Sequence, residues 1–212
     1  FTRRVPAPYE HRAAMSIEQL RARADLFEAL EVGRSPRFMA APLPVLSTLN
    51  PSGEAAPIRC GNKGVGLLPA AEHLPGYLAE LEACLRGCAG KPPRQTLAER
   101  IRVARRLYVH PAHVDRTALG TIEIFQGGTL RNLRRDPRAA LLFTDEGPGY
   151  ASWQLNADVA IVGPEDPRFR FLEGMRRLFE QESFHIQQPG FSVGYVFALR
   201  EIEDKTPRRV SH

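Results

Sequence analysis

The segment Gly127–Thr129, Gly-Gly-Thr, is the turn of this sequence best suited to hold an anion. It stands just before a short run with helical spacing, so its N–H groups would lie at the start of a helix, and the threonine adds a hydroxyl. The chain then continues as LRNLRRDPRAALLFTD, with four arginines before it turns apolar. This stretch is either a basic surface for nucleic acid or a short helix that leads into a buried strand.

The spacing of the leucines favours the second interpretation. Leu130 and Leu133 would form the inner side of a helix that Pro137 closes, and the arginines on that helix would then face solvent. A nucleic-acid surface interleaves basic residues with exposed aromatic ones, whereas Phe143, the one aromatic residue here, lies within an apolar strand pattern. We therefore do not expect nucleic acid as a partner.

Cysteine and histidine positions carry weaker signals. Cys84 and Cys88 stand four residues apart on a predicted helix, but metal sites need three or four converging ligands, so we expect buried thiols and no metal. His110 and His113 flank Pro-Ala and are predicted to lie on a surface turn.

The composition is that of a globular protein. A chain of 212 residues with 43% hydrophobic and 25% charged residues predicts a single domain over residues 1–212. Its net charge of +5 permits attraction to anions. Three cysteines, an odd number, argue against a disulfide framework and predict a reducing compartment, the cytoplasm. No apolar run approaches the ~20 residues that span a bilayer, so no membrane association is expected.

The remaining patterns predict a mainly β chain. A capping box and helical spacing predict an N-terminal helix over residues 16–32, and PVLSTLNPSGEAAPIRC predicts a hairpin. Further strands are predicted in ALGTIEIFQ, RAALLFTD, YASWQLNADVAIV and GFSVGYVFALREIED, with a helix that begins at Asp166-Pro167. The order predicts an α+β fold: a largely antiparallel sheet of five to seven strands, closed into a barrel, with peripheral helices.

Residues 64–107 are predicted to be a helical insertion into this barrel. The first helix has leucines at helical spacing and ends near Gly87 and Gly90, and the second begins at a Thr96 cap. The second helix is basic, and its arginines are expected on the outer face: Arg100, Arg102, Arg105 and Arg106. Long insertions are often functional, so the segment is predicted to shape substrate access.

The ordered pieces GTIEIFQGGT, LRNLRRDPR, AALLF and YASWQLNADVAIV resemble the pyridoxamine-phosphate-oxidase-like family of FMN-binding split β-barrels. The hairpin LSTLNPSGEAAPIRCGNK and the last strand VGYVFALREIE fit the same outline. The resemblance covers about two-thirds of the chain in patches, and the insertion lies outside it. It implies an antiparallel split β-barrel with a two-helix insertion.

The resemblance also implies a set of cofactor contacts. Family members bind the flavin phosphate through an Arg and a Lys of the hairpin's second strand, and Arg59 and Lys63 stand at about those places. The family's basic residue in the turn is replaced by Thr129, for which Arg131 could substitute. Trp153 and Gln154 lie on the strand that reaches the flavin of a partner subunit, although Trp153 could equally fill the end of the barrel. The predicted cofactor-binding residues are Arg59, Lys63, Gly127, Gly128, Thr129, Arg131, Trp153 and Gln154.

These implications define the predicted function. The first hypothesis is a homodimeric, FMN-dependent oxidoreductase that acts on a small molecule, with the flavin at the dimer interface. A second keeps the barrel but exchanges the cofactor for haem or a deazaflavin, and His185 stands where a haem-binding relative would place an axial ligand. A third is a non-catalytic flavin-binding or nucleic-acid-associated module that uses the basic insertion helix.

Overall fold

The computed structural model of the chain describes residues 3–6, 32, 43–50, 56–144, 151–180, 186 and 188–207. Eight strands form one antiparallel sheet. The strands are β1 (Arg3–Pro6), β2 (Val45–Leu49), β3 (Ile58–Asn62), β4 (Gly66–Pro69), β5 (Val114–Ile122), β6 (Arg138–Thr144), β7 (Ser152–Val162) and β8 (Gly194–Asp204). The helices are α1 (Leu74–Cys88), α2 (Pro93–Val109), α3 (Gly128–Arg135) and α4 (Pro167–Arg177), with a 3-10 turn at Pro111–His113. The predicted helix over residues 16–32, except its last residue, lies outside the described ranges, as do the hairpin turn at 51–55 and His185.

The sheet must curl until its two edges meet. The strand order is β3-β2-β6-β7-β8-β5-β4, so β3 and β4 lie at opposite edges, yet only the residues 63–65 separate them in sequence. Four Cα–Cα steps reach at most about 14 Å. Across a flat sheet the two strands would be six spacings of ~4.8 Å apart, or about 29 Å. The predicted α+β fold with an antiparallel split barrel is therefore confirmed.

The strand patterns explain which side of the sheet forms the core. In β6 the burial alternates, with Ala139, Leu141 and Phe143 buried and Ala140 and Leu142 only partly covered. This is the period-2 signature of a strand with one face toward the core. The other face of AALLF is therefore only partly covered within this chain.

Two strands were not foreseen. The amino-terminal arm contributes β1, which pairs antiparallel with the last four residues of β8 and brings the strand number to eight. The predicted insertion contains β4, which pairs with β5, so residues 66–69 belong to the sheet and only the segment after them is helical.

The two insertion helices are part of the core. Leu74, Leu78 and Leu81 are buried as predicted. The side chain of Leu81 packs against the backbone of α4, where a Cβ at Gly174 would lie 2.6 Å from the Leu81 Cδ2. Truncating such residues leaves cavities, so this part of the chain contributes to stability. Its predicted effect on substrate access stays a prediction.

Candidate functional site

Arg59 and the start of α3 come together, as the sequence predicted. Arg59 is an exposed residue of β3, and its side chain lies against Gly128, the first residue of α3. A Cβ at Gly128 would stand 2.8 Å from the Arg59 Cδ and closer still to the guanidinium. Glycine is therefore the residue that allows the guanidinium to lie this close to the helix start.

A buried polar contact joins α3 to the hairpin that carries Arg59. The Asn132 amide Nδ2 donates to the Thr48 hydroxyl at 3.1 Å, and this hydroxyl lies 3.5 Å from the carbonyl oxygen of Arg59. Both side chains are buried, as are Leu130 and Leu133 of the same helix. Sequence reasoning missed Thr48 and Asn132. Their buried polar character could not be read from spacing, because the two residues are 84 positions apart.

The start of α3 has an unbalanced positive potential. The first N–H groups of a helix have no helical partner and form the positive end of its dipole. The first turn of α3 contains no acidic residue, and within the described ranges no side chain caps it at Gly127. Among the described residues, no carboxylate forms an ion pair with Arg59. A cation thus lies beside the positive end of a helix, which favours an anion that contacts both.

The other residues of α3 divide as expected. Gly127 and Thr129 are half-buried at its start, and Arg131, Arg134 and Arg135 are exposed. The Arg131 N–H donates to the Gly127 carbonyl at 3.3 Å, so its backbone belongs to the helix rather than to the anion-binding turn.

Lys63, the second predicted phosphate ligand, binds a carboxylate instead. Its ammonium lies 2.8 Å from both carboxylate oxygens of Glu123, a residue only 3% exposed just after β5. The Tyr195 hydroxyl donates to Glu123 Oε2 at 2.6 Å, and the Phe125 N–H donates to Oε1 at 3.2 Å. Glu123 was not singled out from the sequence, since its partners lie as many as 72 positions away.

The charge state of this cluster follows from its contacts. Burial opposes ionisation of Glu123 most strongly, but the hydrogen bonds from Lys63 and Tyr195 outweigh it and hold the pKa of this carboxyl below its ordinary value. Burial, with the hydrogen bond to Glu123 next, raises the pKa of Tyr195 far above its usual range. The stable state is therefore Lys63⁺–Glu123⁻ beside a neutral tyrosine.

The turn between Glu123 and α3 is strained. Gln126 has φ = 42°, a left-handed conformation that is uncommon outside glycine, and its Nε2 donates to the Ser192 hydroxyl at 2.8 Å. Phe125 beside it is 67% exposed. Such strain persists only where surrounding contacts impose it, and it is frequent at binding sites.

Trp153 and Gln154 lie apart from Arg59. Gln154 of β7 pairs with Leu142 of β6, Leu142 pairs with Val45 of β2, and Val45 pairs with Asn62 of β3. The strand of Gln154 is therefore three strand spacings from the strand that carries Arg59. That is roughly 14 Å along the sheet. Trp153 packs against the core, and the Gln154 amide donates to Asn156 at 2.9 Å. The structure does not bring this pair to the start of α3 within one chain.

Cys84 lies close to Cys88, and His113 lies close to both His73 and His110. The Cys84 and Cys88 sulfurs are 3.9 Å apart, and burial raises the pKa of Cys84 to about 12, which leaves it an unreactive thiol. His113 lies on the predicted turn and stacks on His73 at 3.9 Å between ring centres, with His110 at 5.1 Å. In the described ranges no three His, Cys, Asp or Glu residues are placed to hold a metal ion.

Three arginines of the basic insertion helix bind groups of the same chain. Arg100 was expected to be exposed, but it is 6% exposed, and it donates to the carbonyl oxygens of Leu178 at 2.5 Å and Pro93 at 2.7 Å. Thr96 is not the cap, because α2 begins three residues earlier; its hydroxyl accepts from Arg100 Nε. Arg102 and Arg106 both bind Glu80. None of the described helices is long and apolar enough to traverse a bilayer.

Several solved structures have folds similar to this one. No family model matches the chain, and no curated protein matches it. The fold is similar to those of pyridoxamine-phosphate-oxidase-like proteins. An FMN-binding protein from Syntrophomonas wolfei aligns at 10% identity over 92% of each chain, with a TM-score of 0.45. A Listeria innocua protein provisionally described as a pyridoxamine 5'-phosphate oxidase aligns at 12% identity over 85% of this chain and 98% of its own, with a TM-score of 0.42. A FAD-binding protein from Mesorhizobium loti aligns at 9% identity over 79% and 87%, with a TM-score of 0.40. These likenesses assign no ligand and no activity to this chain.

Proposed function

We propose that this protein binds a phosphate-bearing flavin, FMN, with the phosphate beside the contact between Arg59 and Gly128, bound by both the Arg59 guanidinium and the first turn of α3. The observation that carries the proposal is the contact of Arg59 with Gly128, which sets a cation against the positive end of a helix. A phosphate dianion is stabilised by both. The Thr129 hydroxyl and the N–H groups of Gly128 and Thr129 provide the remaining donors.

The residues present fit such a group. A phosphate needs a few charge-assisted donors rather than a broad basic field, and here one guanidinium and one helix start supply them. Bound FMN supplies hydride or electron transfer to a small-molecule substrate. The protein's own part is to anchor the phosphate and orient the ring; Lys63 has no direct role in this proposal because Glu123 binds it.

The remainder of the site is proposed to come from a second copy of the chain. Trp153 and Gln154 are about three strand spacings from the Arg59 strand and do not reach the α3 site of their own chain. A homodimer would place the pair from the partner beside the flavin ring. The partly covered Ala140 and Leu142 of β6 would gain cover in such an interface.

The sharpest test compares FMN with riboflavin, which lacks the phosphate. We expect wild-type protein to bind FMN more tightly, measured by quenching of flavin fluorescence. Arg59→Ala should weaken FMN binding by about 1.5–3 kcal/mol, roughly tenfold to 150-fold, and leave riboflavin unchanged. Arg135→Ala, which removes the same charge at the other end of α3, is the matched control and should change neither.

Equal affinity of wild type for FMN and riboflavin would refute the phosphate site. The visible spectrum of the purified protein separates the alternative cofactors, since haem gives an intense Soret band and a deazaflavin lacks the long-wavelength flavin band. A monomer in light scattering at micromolar concentration would refute the shared pocket.

A further inference from the structure

Glu123 links the two segments that provide the proposed anion site. One segment is β3 with the residue that follows it: Arg59 is the second residue of the strand, and Lys63 comes directly after its end. The other is the turn from Glu123 to Gly127, which leads into α3. The bond of the Lys63 ammonium to both Glu123 oxygens at 2.8 Å is a direct side-chain tie between them.

The same carboxylate also shapes the turn itself. Oε1 accepts the Phe125 N–H at 3.2 Å, while the Glu123 N–H donates to the Val193 carbonyl at 2.9 Å. Beyond this point Gln126 adopts its left-handed conformation, held by the Ser192 hydroxyl. A non-glycine residue in that conformation is strained, so the direction of the chain into Gly128 depends on these contacts.

Burial makes this tie rigid. Glu123 is 3% exposed, and it is ionised with hydrogen bonds from an ammonium, a phenol and a backbone amide. A buried charge is stable only when it is fully paired, so removing one partner leaves the other groups buried and unpaired. The carboxylate does not reach the surface, so it has no access to a ligand.

Resting on the proposed function, we propose that Glu123 is a positioning residue for the phosphate site. By binding Lys63 and the Phe125 amide together, it holds the Arg59 strand and the start of α3 at the separation at which one phosphate is bound by both. The Lys63 ammonium serves the site through Glu123 and not by contact with the phosphate.

The experiment must distinguish positioning from ordinary stabilisation. The readout is the ratio of riboflavin to FMN dissociation constants, measured by fluorescence quenching at 10 °C, because general loosening of the fold affects both ligands alike. Glu123→Gln keeps the size of the side chain but removes the charge that holds Lys63. We expect this ratio to fall by about tenfold, the scale of one hydrogen bond to a charged group.

Tyr195→Phe is the matched control. It removes a donor from the same buried carboxylate, yet it leaves the Lys63 and Phe125 contacts in place. It should lower the melting temperature but keep the ratio within about twofold of wild type. Lys63→Arg, which can still pair with Glu123, should retain the ratio, and Lys63→Gln should reproduce the loss.

The outcomes are separable. If wild type shows no preference for FMN, the proposed function fails and this inference fails with it. If wild type prefers FMN and both Glu123→Gln and Lys63→Gln retain that preference, the phosphate site stands and the positioning role is refuted. Should Glu123→Gln not fold, the pair Lys63→Arg and Lys63→Gln decides, because both keep Glu123 and differ in whether a cation pairs with it.

Discussion

Two regions of this protein are rich in arginine, and they differ in where the balancing charge lies. On α2, Arg102 and Arg106 both bind Glu80, and Arg100 is buried with its N–H groups on carbonyl oxygens. At the start of α3, Arg59 lies against a glycine, and no carboxylate among the described residues pairs with it. Arg100, Arg102 and Arg106 are thus bound by groups of this chain, whereas Arg59 is available to an anion from outside it.

The comparison shows that the number of arginines is a poor guide to function. The helix with the larger cluster binds three of its cations to the same chain: Arg102 and Arg106 to the preceding helix, and Arg100 to the Leu178 carbonyl. A single guanidinium opposed to a helix dipole is the better candidate for binding, because its partner must come from outside the described chain. If this distinction is right, variants of the insertion helix should lose stability, and variants at the start of α3 should lose FMN affinity.

The largest effect is expected at Arg100. Arg100→Met keeps the aliphatic volume but strands the carbonyls of Leu178 and Pro93, which this side chain binds. We expect the free energy of unfolding to fall by about 3 kcal/mol, with FMN affinity unchanged once the protein is folded. Urea unfolding measures the change. Arg94→Met, an exposed arginine of the same helix, is the control and should stay within about 0.5 kcal/mol of wild type.

Arg100 also marks the limit of sequence reasoning. The spacing of Leu74, Leu78 and Leu81 predicted α1 and its buried face, because local periodicity reports which side of a helix meets the core. The same reasoning placed Arg100 outside. Its partner, the Leu178 carbonyl, lies 78 residues further along the chain, and no pattern within the helix predicts this contact.

The candidate site shows the same division. Gly127, Gly128 and Thr129 were found because turn residues before a helix carry a local signal. Arg59 was found through the family resemblance, and it does meet Gly128. The Lys63–Glu123–Tyr195 contacts were missed, since they depend on how the barrel edges close, and β1 was missed because four residues with no alternation give no strand pattern.

A smaller effect, in binding rather than folding, is expected at Gly128. Gly128→Ala puts a methyl group where the Arg59 side chain lies, and the flexible arginine must move away. FMN affinity should fall by about tenfold or more. Stability should be unchanged or up to about 1 kcal/mol higher, because alanine is the better helix former. Gain of stability with loss of affinity is a combination that general damage to the fold does not produce.

The control for this variant is Gly61→Ala. Gly61 lies on β3 two residues after Arg59, and a Cβ there meets no atom within 4 Å among the residues described. It should leave FMN affinity as in wild type. If Gly128→Ala bound FMN as tightly as Gly61→Ala does, Arg59 would not be a phosphate ligand in its present position, and the contrast between the two arginine regions would lose its functional meaning.

The smallest effect is expected at the end of the insertion, where His113 stacks on His73 and contacts the Tyr77 hydroxyl at 3.0 Å. Burial, with the charges of His73, His110 and Arg106 after it, lowers the pKa of His113 below its ordinary 6.5. As the pH falls below that value, the unfolded chain takes up a proton at this residue before the folded one does. Stability from His113 is therefore complete above about pH 6.5 and decreases as the pH drops toward the folded-state pKa.

We expect the melting temperature of wild type to fall between pH 7.5 and pH 5.5 by more than that of His113→Gln, which cannot take up the proton. Differential scanning fluorimetry at the two pH values measures the difference between the two slopes. The change of FMN affinity with pH should be the same in wild type and variant. The positive charge gained at His113 lies beside the insertion helix α2 and not at the start of α3. If the melting temperature changes equally with pH in the two proteins, His113 is protonated alike in the folded and unfolded states. If FMN affinity changes with pH in wild type but not in His113→Gln, the insertion and the start of α3 are coupled, and the contrast between the two regions is wrong.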